Sequence, residues 1–184
     1  MMESANPELS WGDMAVLYRT NAQSRAIEES LVRWGIPYIV VGGLRFYDRR
    51  EIKDLLAYLR LLVNPADTVS LLRVINVPKR GIGKTTIQRL TDAANQLGIP
   101  LWDVVSDAEA VRSLGGRSAR GLLQFCELLN DLRLQVQDAA PSELIQQVME
   151  KSGYVAELIT EGTDEAEERR RNLQELVNAA LQYQ

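Results

Sequence analysis

The chain has 184 residues, which is enough for one full domain or two small ones. With no histidine and a single cysteine, Cys126, it can form no intramolecular disulfide and offers almost no basis for a zinc site or for histidine catalysis, and no metal-binding residue is predicted. The sequence has no apolar run of about 18 residues and no signal peptide, which predicts a cytoplasmic protein that does not contact a membrane.

Residues 15–41 have the pattern of a strand, a helix and a second strand. Residues 15–18 and 38–41 are short, continuous apolar runs, which predicts strands buried on both faces. Apolar residues between them recur at helical spacing until Gly35 ends the helix. The pattern therefore predicts a small parallel β-α-β unit. Two parallel strands leave their edges uncovered, so we expect their partner strands to come from elsewhere in a longer chain.

The chain from Tyr47 onward is typical of helices. An apolar stripe from Ile52 to Val63 ends at Pro65. Further helices are predicted over residues 68–75, from an N-cap at Thr85 to Gly98, and over residues 101–105, 122–136, 142–152 and 166–181. Glycines near residue 115 indicate a break, so the predicted domains are 1–112 and 113–184. The predicted fold is mainly α, with the parallel β-α-β element followed by a helical, bundle-like part.

Charge is distributed unevenly along the chain. The net charge is −4, yet residues 45–89 carry ten Lys and Arg against four Asp and Glu. A basic segment inside an acidic chain is one indication of a nucleic-acid contact. A solvated helix face with ion pairs is the alternative. The run Arg169-Arg170-Arg171 follows four acidic residues at a predicted helix start, which favours ion pairs within the helix and no binding role.

Gly83-Lys84-Thr85 resembles the end of a nucleotide-binding P-loop. Such a loop needs a glycine five positions before Gly83, so that successive N–H groups surround a phosphate. That position is Pro78, which has no N–H group to donate. The sequence therefore argues against a P-loop here.

The same segment suits a contact with DNA phosphates. Lys79, Arg80 and Lys84 flank the turn Gly81-Ile82-Gly83 at the start of a predicted helix. Cations at a helix N-terminus oppose the helix dipole unless an anion lies between them and the free N–H groups. Glycines at this position also allow a phosphate to approach the backbone, as in helix-hairpin-helix modules. An inter-helix turn with solvated lysines is the alternative.

Two further sites combine aromatic rings with arginines. Tyr18 and Arg19 end the first predicted strand, where ligands of parallel sheets bind. In the alternative, Arg19 pairs with Glu28 or Glu29. Arg45 and Phe46 follow the second strand and suit the stacking and phosphate contacts of single-stranded DNA. Phe46 as a core residue is the alternative there.

Three blocks of this sequence, residues 14–25, 42–54 and 76–83, closely resemble the second motor domain of superfamily 1A DNA helicases, the UvrD/PcrA/Rep family. The resemblance implies the first segment of the RecA-like domain 2A, followed by part of the helical domain 2B. It also implies that Tyr18 stacks on adenine and that Arg19 contacts the γ-phosphate of ATP. The Walker A and B residues of the family are absent from this chain.

Family members use ATP and Mg²⁺, bound between domains 1A and 2A, to move 3′ to 5′ along single-stranded DNA and unwind duplex. The resemblance thus implies DNA as a partner, as single strand and as single/double-strand junction, together with domains 1A, 1B and the rest of 2A. The chain alone is expected to bind no cofactor and to be inactive. Two alternatives stay open: a stand-alone helix-hairpin-helix DNA-binding module, and a protein-interaction domain that uses its acidic helices.

Overall fold

The computed structural model describes residues 10–41 and 43–181, so Gly42 of the second block lies outside it. It divides into two compact units, Met1–Arg49 and Arg50–Gln184. No β-strand occurs among the described residues, which form an all-α fold. The prediction of a parallel β-α-β element is therefore wrong. None of the described helices is both long enough and apolar enough to cross a membrane.

The two segments predicted as strands have no neighbouring strand to pair with. A strand exists only through hydrogen bonds to a second strand, and a short apolar run does not by itself supply that partner. The side chains expected to be buried are instead exposed. Leu17 is 93% exposed, Ile39 is 82% exposed and Val41 is 84% exposed. The intervening helix was predicted correctly, since its pattern and its stop signal are local.

Ten α-helices lie in the described part of the chain. They are α1 (Ser24–Arg33), α2 (Arg50–Val63), α3 (Thr68–Val74), α4 (Lys84–Leu97), α5 (Leu101–Ser106), α6 (Ala108–Leu114), α7 (Ala119–Arg133), α8 (Pro141–Lys151), α9 (Tyr154–Glu161) and α10 (Asp164–Leu181). The sequence missed α6 and α9, and it placed the N-cap of α4 at Thr85, whereas Gly83 is the N-cap. The domain boundary predicted after residue 112 lies within α6 and stays a prediction.

Polar side chains organise the first unit around α1. The carboxylate of Glu28, which is buried, accepts hydrogen bonds from the Phe46 N–H (3.2 Å) and from the Tyr38 hydroxyl (3.1 Å). The guanidinium of Arg49 donates a hydrogen bond of 2.8 Å to the Asn21 carbonyl. Contacts from Glu28 thus hold Tyr38 and Phe46, which lie on the two sides of Gly42 in the sequence, against one helix.

Helix α2 is the centre of the second unit, where it packs against α3, α7, α8 and α10. In its predicted apolar stripe, Ile52, Leu55 and Leu62 are buried, whereas Leu56 and Leu59 are half-buried and Val63 is exposed. A buried carboxylate, Asp54, lies in this core and pairs with the Arg73 guanidinium of α3 at 2.8 Å. The Tyr154 hydroxyl of α9 donates to the same carboxylate at 2.9 Å. Asp54 therefore links three helices through two charge-assisted contacts.

We predict that Tyr154→Phe lowers the free energy of unfolding by about 1–3 kcal/mol, because it removes a hydrogen bond from a buried carboxylate. Urea denaturation measures the change. Thr160→Ala is the matched control, since it removes an exposed hydroxyl from the same helix, and its effect should stay within about 0.5 kcal/mol. Equal effects of the two variants would show that the Asp54 contact adds no stability.

Candidate functional site

The backbone of the Tyr18-Arg19 segment is fixed by one glutamine. Gln23 Oε1 accepts hydrogen bonds from the N–H groups of Arg19 (3.0 Å) and Thr20 (3.2 Å). Thr20 is in turn the N-cap of a 3₁₀ turn, Asn21–Gln23, that leads directly into α1. Tyr18 is half-buried and Arg19 is exposed. The capping box therefore holds the backbone of the two residues, while the Arg19 side chain stays accessible.

The ion pair proposed as an alternative for Arg19 does not form. Glu29 pairs with Arg25 at 2.8 Å, and the carboxylate of Glu28 is occupied by Phe46 and its other partner. No acceptor within the described ranges takes a hydrogen bond from the Arg19 guanidinium. Arg19 thus keeps its charge available for an anionic ligand.

Arg45 and Phe46, which are adjacent in the sequence, differ in burial: Phe46 lies in the core and Arg45 lies at the surface. Phe46 is fully buried, its ring lies edge-on to that of Tyr47, and the Arg49 guanidinium lies 5.3 Å from its centre. Phe46 is therefore a core residue, as the alternative interpretation of the sequence had it. Stacking of its ring on DNA stays a prediction, and it would require the ring to leave the core. Arg45 is exposed, with its guanidinium 5.2 Å from the Tyr38 ring centre.

The turn between α3 and α4, residues 76–83, is a hairpin held by the side chain of Asn76. Its Oδ1 accepts hydrogen bonds from the N–H groups of Arg80 (2.7 Å) and Ile82 (3.1 Å). Gly81 has a φ of +70°, which favours glycine. Ile82 is 2% exposed and anchors the hairpin in the core. The sequence predicted this turn, but not the asparagine that organises it.

Arg80 lies on the inner side of the hairpin and not on the surface that the sequence predicted for it. Its guanidinium donates hydrogen bonds to the carbonyl oxygens of Val74 (3.3 Å), Pro78 (3.1 Å) and Ser152 (3.1 Å), and to the Tyr58 hydroxyl (2.8 Å). It also lies 5.3 Å from the centre of the Phe125 ring. Because these acceptors occupy its donors, Arg80 stabilises the hairpin from its inner side. A direct contact between Arg80 and DNA stays a prediction.

The hydroxyl of Tyr58 extends this network from beneath the hairpin. It accepts from Arg80 and donates to the carbonyl oxygen of Val77. Burial raises the pKa of Tyr58 to about 12, and the positive charge of Arg80 partly offsets that effect. The hydroxyl therefore stays protonated at neutral pH and keeps its donor for the hairpin.

Lys79 and Lys84 remain on the outside of the hairpin. Both are exposed, and neither forms an ion pair with a carboxylate of the described residues. Lys84 is the first residue of α4, and the N–H groups of Gly83, Lys84 and Thr85 have no acceptor within residues 10–41 and 43–181. Two free cations thus lie beside three free donors at a helix N-terminus, where an anion is stabilised.

The second basic cluster, on α10, is paired with carboxylates. Arg170 and Arg171 pair within their own helix as the sequence predicted, whereas Arg169 pairs with a residue of α9. Arg169 pairs with Glu161 at 2.5 Å, and Arg170 pairs with Glu167 at 2.9 Å. Arg171 lies 3.9 Å from the same Glu167 carboxylate. These arginines form ion pairs within their own unit, unlike the lysines of the hairpin.

A second loop packs against the hairpin, at the place where the sequence indicated a break. The Ser118 hydroxyl, in the 3₁₀ turn Gly116–Ser118, donates a 2.8 Å hydrogen bond to the Gly81 carbonyl and accepts one of 3.2 Å from Thr86. Gly121 on α7 lies so close that a Cβ there would be 2.2 Å from the Arg80 carbonyl oxygen. In the sequence, the glycines near residue 115 are the one signal of this contact.

We predict that Arg80→Gln lowers the free energy of unfolding by about 1–3 kcal/mol, because several buried acceptors lose their donor. The neighbouring Lys79→Gln should change it by no more than about 0.5 kcal/mol, since its side chain has no described partner. Urea denaturation of both variants tests the contrast. Equal stability of the two variants would contradict the inner position of Arg80.

The comparisons with known proteins agree with one another. The sequence model of a family described as UvrD-like helicase C-terminal domain matches residues 2–184. The ATP-dependent DNA helicase PcrA of Leuconostoc citreum is 40% identical over 175 residues, which are 95% of this chain and 23% of the relative. The protein of the same name from Staphylococcus aureus (strain Mu50) is 41% identical over 94% of this chain and 23% of its own length. The chain thus spans about a quarter of the length of these relatives.

Proposed function

Since this chain belongs to the family of UvrD-like helicase C-terminal domains, we propose that it works as part of an ATP-dependent DNA helicase. In the proposed enzyme, ATP hydrolysis drives movement 3′ to 5′ along single-stranded DNA and the opening of duplex at a junction. This chain contributes one side of the ATP site and a surface for DNA. Domain 1A supplies the other side of the ATP site, and domain 1B and the rest of domain 2A complete the enzyme.

The proposed nucleotide role is supported mainly by the exposed guanidinium of Arg19. Its backbone is held by Gln23, its side chain is exposed, and the two carboxylates that could neutralise it have other partners. A guanidinium in this state can bind the γ-phosphate of ATP and stabilise the charge that develops as the phosphoryl group is transferred. In this proposal Tyr18, which precedes it, stacks on the adenine.

The residues described in this chain do not suit a Mg²⁺ site. They contain no group of three or more His, Cys, Asp or Glu side chains that could hold a metal ion. In the proposed helicase, domain 1A supplies the residues that bind Mg²⁺ with ATP, and this chain contributes positive charge. No step of our account depends on a metal held by this chain.

The DNA role depends on the hairpin of residues 76–83. Lys79 and Lys84 bind phosphates as point charges, and the free N–H groups at the start of α4 add directed hydrogen bonds. Gly81-Ile82-Gly83 brings the backbone close to the phosphate, and Arg80 holds the hairpin in shape from inside. Arg45 is the exposed cation that the first unit offers to DNA.

The ATP role predicts that the 184-residue chain alone has no DNA-stimulated ATPase activity. In the whole helicase, Arg19→Ala should lower kcat by roughly 10³–10⁵, which is the contribution of a transition-state arginine in phosphoryl transfer. Arg33→Ala, which removes another exposed arginine of the first unit, is the control and should leave kcat unchanged. A loss below tenfold for Arg19→Ala would reduce this residue to a structural role.

The DNA role predicts a change in salt dependence. Each phosphate contact contributes about 0.9 to the slope of log K against log salt concentration, so Lys79→Gln with Lys84→Gln should reduce the slope by about 1.8. Fluorescence anisotropy of a labelled duplex with a single-stranded tail measures it. If the double variant keeps the wild-type slope, the phosphates are bound elsewhere.

A further inference from the structure

We propose that the second loop, residues 115–120, completes the phosphate-binding surface of the hairpin. In this proposal Arg117 and Arg120 bind the backbone of double-stranded DNA beside Lys79 and Lys84. It rests on the DNA role proposed above and adds two binding residues to it. The sequence indicated only a break between domains at this loop.

The two loops lie against each other through specific contacts. The Ser118 hydroxyl joins the Gly81 carbonyl to Thr86 on α4, with hydrogen bonds of 2.8 Å and 3.2 Å. Gly121 approaches the Arg80 carbonyl so closely that no larger residue fits without a shift of the backbone. Arg117 is adjacent to Ser118, and Arg120 is adjacent to Gly121. Both arginines are therefore held beside the hairpin by contacts of their immediate neighbours.

The positive charges of the hairpin and the second loop are not neutralised by acidic residues of these two segments. Arg117 and Arg120 are exposed, and neither has a carboxylate partner in the part of the chain that the structure describes. Residues 76–86 and 115–121 contain no acidic residue. Glu157 accepts a long hydrogen bond of 3.4 Å from the Lys79 backbone N–H, but it forms no ion pair with the Lys79 ammonium.

Four unpaired cations on two touching loops repel one another, so the arrangement favours a partner that carries several negative charges. In the same unit, the three arginines of α10 each have a carboxylate within 4 Å, in contrast to the four cations of the two loops. The phosphates of DNA are a regular series of negative charges that matches such a surface.

Double-stranded DNA fits this surface better than single-stranded DNA. Proteins that bind single strands stack the bases on exposed aromatic rings, and residues 76–86 and 115–121 include no aromatic residue. The rings nearest to the hairpin, Tyr58 and Phe125, are buried beneath Arg80. The surface therefore offers positive charge and backbone donors only, which contact phosphates and not bases.

The test compares double variants of equal charge change in a titration of tailless duplex against salt. Arg117→Gln with Arg120→Gln should reduce the slope by about 1.8, because two phosphate contacts are lost. Arg133→Gln with Arg171→Gln is the matched control and should keep the wild-type slope. Arg133 lies on the same helix as Arg120, about 20 Å away by the helical rise. Arg117→Lys with Arg120→Lys retains the charge and should also keep the slope.

The outcomes separate this inference from the proposed function. If Lys79→Gln with Lys84→Gln lowers the slope and Arg117→Gln with Arg120→Gln does not, the second loop makes no contact and the role of the hairpin stands. If neither pair lowers it, the DNA role of the hairpin is itself wrong. If a single-stranded oligonucleotide of equal length binds as tightly as the duplex, with the same dependence on Arg117 and Arg120, the preference for duplex is overturned.

Discussion

The guanidinium of Arg80 is the contact on which the second unit depends most. Through one planar group it joins the end of α3, the Tyr58 hydroxyl on α2, the Ser152 carbonyl after α8 and the Phe125 ring on α7. An arginine suits this position because its fixed fork of donors meets several carbonyl oxygens at once, which a lysine does not do. The hairpin of residues 76–83 is thereby built into the core, and its outer side chains are presented on a supported backbone.

Both candidate sites follow the same division of roles between neighbouring residues. In the first unit, Gln23 holds the backbone of Arg19, and the Arg19 guanidinium has no partner among the residues that the structure describes. In the second unit, Asn76 and Arg80 hold the hairpin and leave Lys79 exposed beside them. A charge placed on a fixed backbone loses little conformational freedom when it meets a ligand, which favours binding. The side chains that hold the backbone are therefore different from the side chains proposed to bind phosphate, even where the two are adjacent in the sequence.

The parts of this structure that depend on local spacing could be predicted from the sequence. The helical repeat of α2 and the ion pairs of Arg170 and Arg171 with Glu167 both involve residues three or four positions apart. The inner position of Arg80 depends on Ser152, which is 72 positions away, so a basic residue in a hairpin could not be told from a surface cation. The prediction of two strands failed for the same reason, because a strand depends on pairing with a partner that is distant in the sequence. Helix α9 was missed because its buried residues, Tyr154 and Leu158, make only one helical repeat.

Hydrogen exchange of the backbone amides, with and without duplex DNA at low salt, tests the central claim most directly. The N–H groups of Gly83, Lys84 and Thr85 have no acceptor in the described part of the chain, so they should exchange quickly in the absence of DNA. The account predicts that duplex slows exchange in peptides covering residues 79–86 and 115–121 and leaves residues 165–171 unchanged. Duplex binding that protects residues 165–171, or that leaves residues 79–86 unprotected, would contradict it.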